Sequence, residues 1–223
     1  MMQVLSVNVS IAKRLRHGDR EIETGIDKQA VTGPVSVATG GLAGDVQVDR
    51  KHHGGIDKAV YVYTEENRRY WAEQRNEAVS PPGRFGENLT VTGMPDGNVH
   101  IGDVFAIGST VLQVTQPRVP CHKLGIQFGE PEFVGAFLVS GRAGFYLRVL
   151  EEGIVEAGDM IRLVRPDPAS VSIRDAMQAL IKGPHQVEWM RRALAVAALS
   201  DAWRQDLTRR LASACIPPRQ EYP

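Results

Sequence analysis

The first 165 or so residues never hold one structural period for long. Short runs rich in β-branched and aromatic residues, at 4–9, 59–63, 88–92, 104–107 and 111–115, are separated by glycine-rich turns. That rhythm predicts many short strands. Two helices are expected among them. Residues 64–78 open on Thr64, a capping residue, with Asn67 where a glutamate would complete a capping box. Residues 131–139 place Phe133, Ala136 and Phe137 at i, i+3 and i+4. Glycines at 102, 108, 141, 144, 153 and 158 punctuate the remainder. The expected fold class is mainly β, a β-barrel with inserted helices rather than a doubly wound sheet.

Arg165-Pro166-Asp167-Pro168 ends that rhythm and reads as a linker. Three helical patterns follow. Ile173, Ala176, Met177 and Leu180 share one face, with Ser172 and Asp175 as a capping box and Gly183-Pro184 as the terminator. Val187, Met190, Leu194 and Ala197 line a second helix, and Trp203, Leu207 and Leu211 a third. The expected organisation is a β-barrel domain of residues 1–165 and a small three-helix bundle of residues 166–223. Helices this short need each other or the barrel.

The 26 Lys and Arg balance the 26 Asp and Glu. A chain dedicated to stable nucleic-acid binding usually carries a basic excess, so that class is set aside. Lys13, Arg14 and Arg16 follow the apolar run at Val4, Leu5, Val7 and Val9, the reverse of signal-peptide order. No apolar run reaches the ~20 residues of a membrane span. The reading is a cytoplasmic protein without a membrane partner, its two cysteines reduced.

One of those cysteines stands out. Cys121 lies in Gln116-Pro117-Arg118-Val119-Pro120-Cys121-His122-Lys123. A free cysteine is most often a packing residue. Two prolines and three cationic or imidazole groups within eight residues do not suit a core strand. Positive neighbours favour a thiolate, which is both nucleophile and soft metal ligand. Cys215, beside Leu211 and Ala214 on the last helix, reads as packing.

A second segment, Asp49-Arg50-Lys51-His52-His53-Gly54-Gly55, combines cations with glycines that let a backbone approach an anion. It also reads as a solvated charged loop. His52, His53, His122 and Cys121 could supply zinc ligands, but no C-x-x-C or H-E-x-x-H accompanies them. Glu87 and Asn88, in Gly83-Arg84-Phe85-Gly86-Glu87-Asn88-Leu89, could face a ligand or satisfy backbone groups. Gly141-Arg142-Ala143-Gly144 suits anion contact or a tight connection. Neither G-x-G-x-x-G nor G-x-x-x-x-G-K-[ST] occurs, and two cysteines cannot hold a four-cysteine cluster.

Taken in order, these segments resemble a MOSC domain, and most closely its stand-alone YiiM-like branch. The carriers are Gly41-Leu42-Ala43-Gly44-Asp45, the basic segment from Val48 to Gly55, Phe85-Gly86-Glu87-Asn88-Leu89, Ile101-Gly102-Asp103-Val104, the stretch from Gln113 to Leu124, and Gly141-Arg142-Ala143-Gly144. The three C-terminal helices resemble that branch's extension. The resemblance implies a β-barrel that binds the molybdenum cofactor (molybdopterin), with Cys121 as the metal ligand. Charge and position suggest Arg50, Lys51, His52, Gly54, Gly55, Asn88, Arg118, Lys123 and Arg142 as cofactor-binding residues. Catalysis would then rest on Cys121, with His53 or Asp49 delivering a proton; His53 also belongs to the basic group that would meet the cofactor's phosphate.

The family resemblance further implies reduction of N-hydroxylated compounds, purine bases among them. A molybdenum centre can accept oxygen while changing its oxidation state by two. Electrons would come from a separate flavin or haem reductase. The alternative is a carrier of the cofactor, or of sulfur for it, without turnover. The C-terminal helices could instead serve dimerisation or donor docking, or simply pack on the barrel.

Overall fold

A computed structural model describes residues 1–10, 13–17, 20–46, 55–181, 183 and 185–214 of the chain. Its strands are β1 (Gln3–Val9), β2 (Lys13–His17), β3 (Arg20–Thr24), β4 (Gln29–Val31), β5 (Val35–Ala38), β6 (Gly41–Leu42), β7 (Val60–Thr64), β8 (Leu89–Thr92), β9 (Val104–Ile107), β10 (Thr110–Pro117), β11 (Phe145–Glu151), β12 (Gly153–Val155) and β13 (Ile161–Arg165). The helices are α1 (Glu65–Arg75), α2 (His122–Phe128), α3 (Phe133–Ser140), α4 (Ile173–Gln178), α5 (Gln186–Ala195) and α6 (Asp201–Ala214). A single 3-10 turn, Ile56–Lys58, precedes β7.

Eight strands form one mixed sheet in the order β13-β9-β10-β11-β7-β8-β1-β4. Strand β7 is buried along its whole length. It pairs antiparallel with β11 and parallel with β8, the crossover being α1. Parallel neighbours joined by a helix are expected to lie deep in a sheet. Thr64 caps α1 as expected, its Oγ1 accepting from Asn67 N at 3.2 Å. Asn67 does not return the bond; its side chain donates to Asp96 Oδ2 at 2.5 Å.

The expected barrel is not closed. The N-terminal half of β1 touches the turn before β13 through Val4 N to Asp159 O (2.9 Å), Gly158 N to Val4 O (2.8 Å) and Ile161 N to Met2 O (3.0 Å). Only one bridge forms, Gln3 with Met160. The reason lies in β1 itself. Its free edge is shared, because β4 takes Val7, Asn8 and Val9. Too little edge remains for a closing ladder, so the sheet curls without sealing.

The C-terminal helices form where the spacing predicts. Ser172 Oγ accepts from Asp175 N at 3.1 Å and caps α4. Trp203 and Leu207 of α6 are buried. On α5 the buried pair is Met190 and Ala193, and Ala197 lies beyond its end, exposed. These helices do not enclose a core of their own. Ile173, Ala176, Met190, Trp203 and Leu207 belong to the same apolar cluster as Val62, Leu112 and Leu147 of the sheet. Backbone bonds stitch the junction: Ile101 N to Val171 O (2.9 Å), Ile173 N to Val99 O (2.9 Å) and Ser200 N to Thr115 O (3.2 Å). A second cluster is aromatic. Tyr61, Tyr63, Trp71, Phe85, Phe133 and Phe137 pack α1, α2 and α3 onto the sheet.

Candidate functional site

Strand β10 runs out at Pro117, and Arg118 N makes one further bond, to Gly144 O at 3.1 Å. Three residues on, Cys121 is the extended N-cap of α2, its carbonyl accepting from Leu124 N at 2.9 Å. The expected irregular segment is therefore three residues long and ends in a helix. Cys121 is a free, partly buried thiol. It opens onto a cleft with about 620 Å³ of empty space, part of it continuous with solvent.

The cleft gathers cations. Among the described residues Lys28, Lys58, Arg118 and Lys123 line it, against one carboxylate, Asp45. The chain has no net charge, so this concentration is local. Arg118 is the most unusual of the four. It is only 5% exposed. Its guanidinium lies 5.6 Å from the Tyr61 ring centre and 5.3 Å from that of Phe137. Its Nη1 has no hydrogen-bond partner among the described residues. A buried donor left unpaired costs about 1–3 kcal/mol, more when charged. Burial alone would push the Arg118 pKa down; the phenols of Tyr61 and Tyr146 and the Cys121 thiol push it up further, so it stands above its ordinary value.

Two tyrosines complete the wall. Tyr61 donates its hydroxyl to Ala143 O at 2.9 Å. Burial raises its pKa well above the ordinary phenol value. Tyr146 is raised for the same reason, although Arg118 pulls it back. Both therefore remain neutral hydroxyls.

Asn88 lines the cleft, yet its amide serves the framework. Its Oδ1 accepts from Tyr61 N at 3.0 Å, and its Nδ2 donates to Asp45 Oδ2 at 2.8 Å and to Asn8 O at 3.4 Å. Asp45 in turn accepts from Lys28 Nζ on both oxygens, at 2.5 and 2.6 Å, and from Ser10 N at 2.8 Å. Glu87 is fully buried and satisfied by Gly83 N, Phe85 N and Thr90 Oγ1. The backbone-satisfying alternative thus describes both residues of the Glu87-Asn88 pair.

Of the residues singled out from sequence, Cys121, Arg118, Lys123 and Asn88 come together here. Arg142 does not. Its guanidinium sits 4.1 Å from the Tyr70 ring centre and donates to Asn67 Oδ1 at 3.2 Å. The glycines around it are structural. At Gly144, with φ +64°, a Cβ would lie 2.3 Å from Val62 O. Gly55 has φ +99° and leads into the 3-10 turn that carries Lys58. Asp49, Arg50, Lys51, His52, His53 and Gly54 lie outside the described residues, as does Cys215. His122 is exposed and does not line the cleft. Among the described residues no three His, Cys, Asp or Glu side chains group to hold a metal ion. No helix among them is long and apolar enough to cross a membrane.

Sequence reasoning missed Lys28, Tyr61 and Tyr146 as cleft residues. Lys28 carries no local signal, being a lone lysine made important by Asp45. Tyr61 reads only as a strand residue, and Tyr146 closes the ambiguous segment that begins at Gly141.

The MOSC domain model matches residues 49–162, and the YiiM-like, 3-alpha helix domain model matches residues 171–214. The Bacillus subtilis (strain 168) protein YflK is 40% identical over 201 residues, 90% of each chain. A Gibberella moniliformis protein titled "Reductase" is 39% identical over 157 residues, 66% of this chain but 27% of that one. The crystal structure of YiiM from Geobacillus stearothermophilus superposes with a TM-score of 0.79 at 33% identity, covering 95% of this chain and all of the other. Sequence, fold and the joined C-terminal helices agree, and the chain belongs to the MOSC-domain family, in its YiiM-like branch.

Proposed function

We propose that this protein binds the molybdenum cofactor through Cys121 and reduces N-hydroxylated compounds, purine bases among them. The observation that carries the reading is the thiol of Cys121 on a cationic cleft, beside a buried arginine with an unpartnered nitrogen. Family membership supports a role connected with the molybdenum cofactor. The Gibberella relative, titled a reductase, supports redox chemistry.

The residues present fit such a group. The cleft offers one thiolate-forming side chain, a soft ligand. An anionic phosphate would meet Arg118, Lys58 and Lys123, and could complete the bonding of Arg118. Asn88 fixes Asp45, which fixes Lys28. Arg142 is engaged elsewhere and has no part in the proposed site. When bound and reduced by the external donor, the cofactor would supply two electrons and a site that takes up the oxygen of R–NHOH. The chain would hold it, orient the substrate and provide protons, with electrons from a separate flavin or haem reductase.

The test is molybdenum content and turnover after expression in a cofactor-competent host, with a chemical electron donor. Wild type should hold molybdenum and reduce an N-hydroxylated purine, and Cys121→Ala should do neither. Full reduction by Cys121→Ala would sink the proposal. Bound molybdenum without reduction of any N-hydroxylated substrate would favour a carrier.

A further inference from the structure

Converting R–NHOH and two electrons to R–NH2 and water consumes two protons. Resting on the reductase reading, we infer that the ammonium of Lys28, clamped to Asp45 on the cleft wall, donates a proton to the oxygen as the N–O bond breaks. The electrons come from the external flavin or haem reductase. Solvent supplies the second proton, water leaves, and solvent in the open cleft recharges Lys28.

The geometry selects this lysine. Its side chain is 8% exposed and that of Asp45 is 5% exposed, yet both line the cleft that holds Cys121. An ammonium has three donor hydrogens, and among the described residues Asp45 engages it through two oxygens, which leaves one for a substrate. The clamp is rigid at both ends. Asp45 is held by Ser10 N and Asn88 Nδ2, and Lys28 N donates to Gly83 O at 3.2 Å. Among the described residues the charged groups that act on Nζ are Asp45 and, beyond it, Glu87, and Lys58, Arg118 and Lys123 line the same cleft.

Acidity points the same way. Burial lowers the Lys28 pKa from the ordinary lysine value, and the attraction of Asp45 and Glu87 does not restore it. A donor whose pKa moves towards the working pH transfers its proton more readily. The other described cleft groups with shifted acidity move away from neutrality: Tyr61 and Tyr146 rise above the phenol value, and Arg118 above its own. The hydroxyl of Tyr61 is also committed to Ala143 O.

The experiment loads wild type and Lys28→Arg in a cofactor-competent host. Each is assayed on an N-hydroxylated purine with a chemical electron donor. Lys28→Arg keeps the charge and the ion pair, so its molybdenum content should match wild type. Its kcat should fall about 100-fold. The wild-type rate should decline on the alkaline side as Lys28 loses its proton, and that limb should vanish in Lys28→Arg, whose guanidinium stays charged. Lys28→Met should fall at least as far, but it strands Asp45, so the arginine variant decides. Nitrogen-15 lysine NMR on the apo-protein gives a readout independent of turnover: one Nζ should titrate below the ordinary lysine value and be absent from Lys28→Arg. An arginine variant with near-wild-type kcat, or no lysine titrating low, overturns the inference alone. Wild type that holds molybdenum yet reduces nothing overturns the reductase reading and this inference with it.

Discussion

Arg118 and Arg142 both sit in proline- or glycine-rich, basic-looking segments, and both lie over aromatic rings. Their fates differ in what is left of the guanidinium. Arg142 is partly exposed, donates to Asn67 Oδ1 and can reach water for the rest. Arg118 is buried, and its Nη1 has no partner among the described residues. An arginine whose donors are engaged by the fold serves the fold. One kept buried and incompletely bonded has bonding capacity for something that arrives later. The distinction is physical and invisible in composition, since both arginines satisfy the same anion-binding motif logic.

Cys121→Ala sets the upper limit for breaking that comparison. Losing groups that merely support a metal ligand already costs 10- to 100-fold. Losing the ligand should drop bound molybdenum to background and turnover below about 1% of wild type, read by metal analysis and single-substrate kinetics. Next comes Arg118→Met, which fills similar space without charge. A hydrogen bond to a charged group contributes about 1.5–3 kcal/mol, so cofactor affinity should fall about 10- to 100-fold. The apo-protein's melting temperature should hold, because relief of an incompletely bonded charge offsets the lost contacts with Tyr61 and Phe137. Arg142→Met should invert both results. Cation–π contact contributes about 0.5–2 kcal/mol and the Asn67 bond about 1 kcal/mol. The expected effect is a melting temperature lower by about 3–12 °C with molybdenum content unchanged. Equal losses of cofactor in the two variants would erase the distinction.

The same logic explains how much of the molecule was legible in its sequence. Strands β1, β7, β8, β9 and β10 were readable because β-branched and aromatic runs announce themselves locally. Helix α2 was not. It has seven residues, with Gly125 in its middle, and local propensity argues against it. Packing overrides that: a Cβ at Gly125 would lie 3.0 Å from Pro131 Cα and 3.1 Å from Glu130 O, so glycine permits the close contact with the following turn. Strand β13 was missed because Arg162 and Arg165 interrupt its short apolar run and only Ile161 of its five residues is buried. Barrel closure could not be decided locally, since it depended on how β4 and the turn before β13 divide one edge of β1. Within the site, Cys121, Arg118 and Lys123 cluster in sequence and could be found together. Lys28 could not, because its meaning comes from a carboxylate 17 positions away.

Glu87 supplies the smallest and most diagnostic test, as the opposite extreme from Arg118. It is fully buried, but both carboxyl oxygens accept bonds, from Gly83 N at 2.8 Å, Thr90 Oγ1 at 2.9 Å and Phe85 N at 3.1 Å. Burial raises its pKa above the ordinary carboxylate value, and those bonds pull it back without cancelling the effect. A group raised in the folded state binds its proton more tightly there than in the unfolded chain. Its contribution to stability is therefore complete below the ordinary carboxylate value and is lost as pH rises through the raised one. Glu87→Gln removes that titration. It also turns one acceptor into a donor facing donors, a penalty equal at every pH. Melting temperatures of wild type and Glu87→Gln, compared as pH falls through that acidic window, should diverge in favour of wild type by no more than about 4 °C. A constant offset would mean that the three bonds fully offset the burial. Molybdenum content should not change with this substitution, because Glu87, unlike Arg118, has its bonds completed inside the protein.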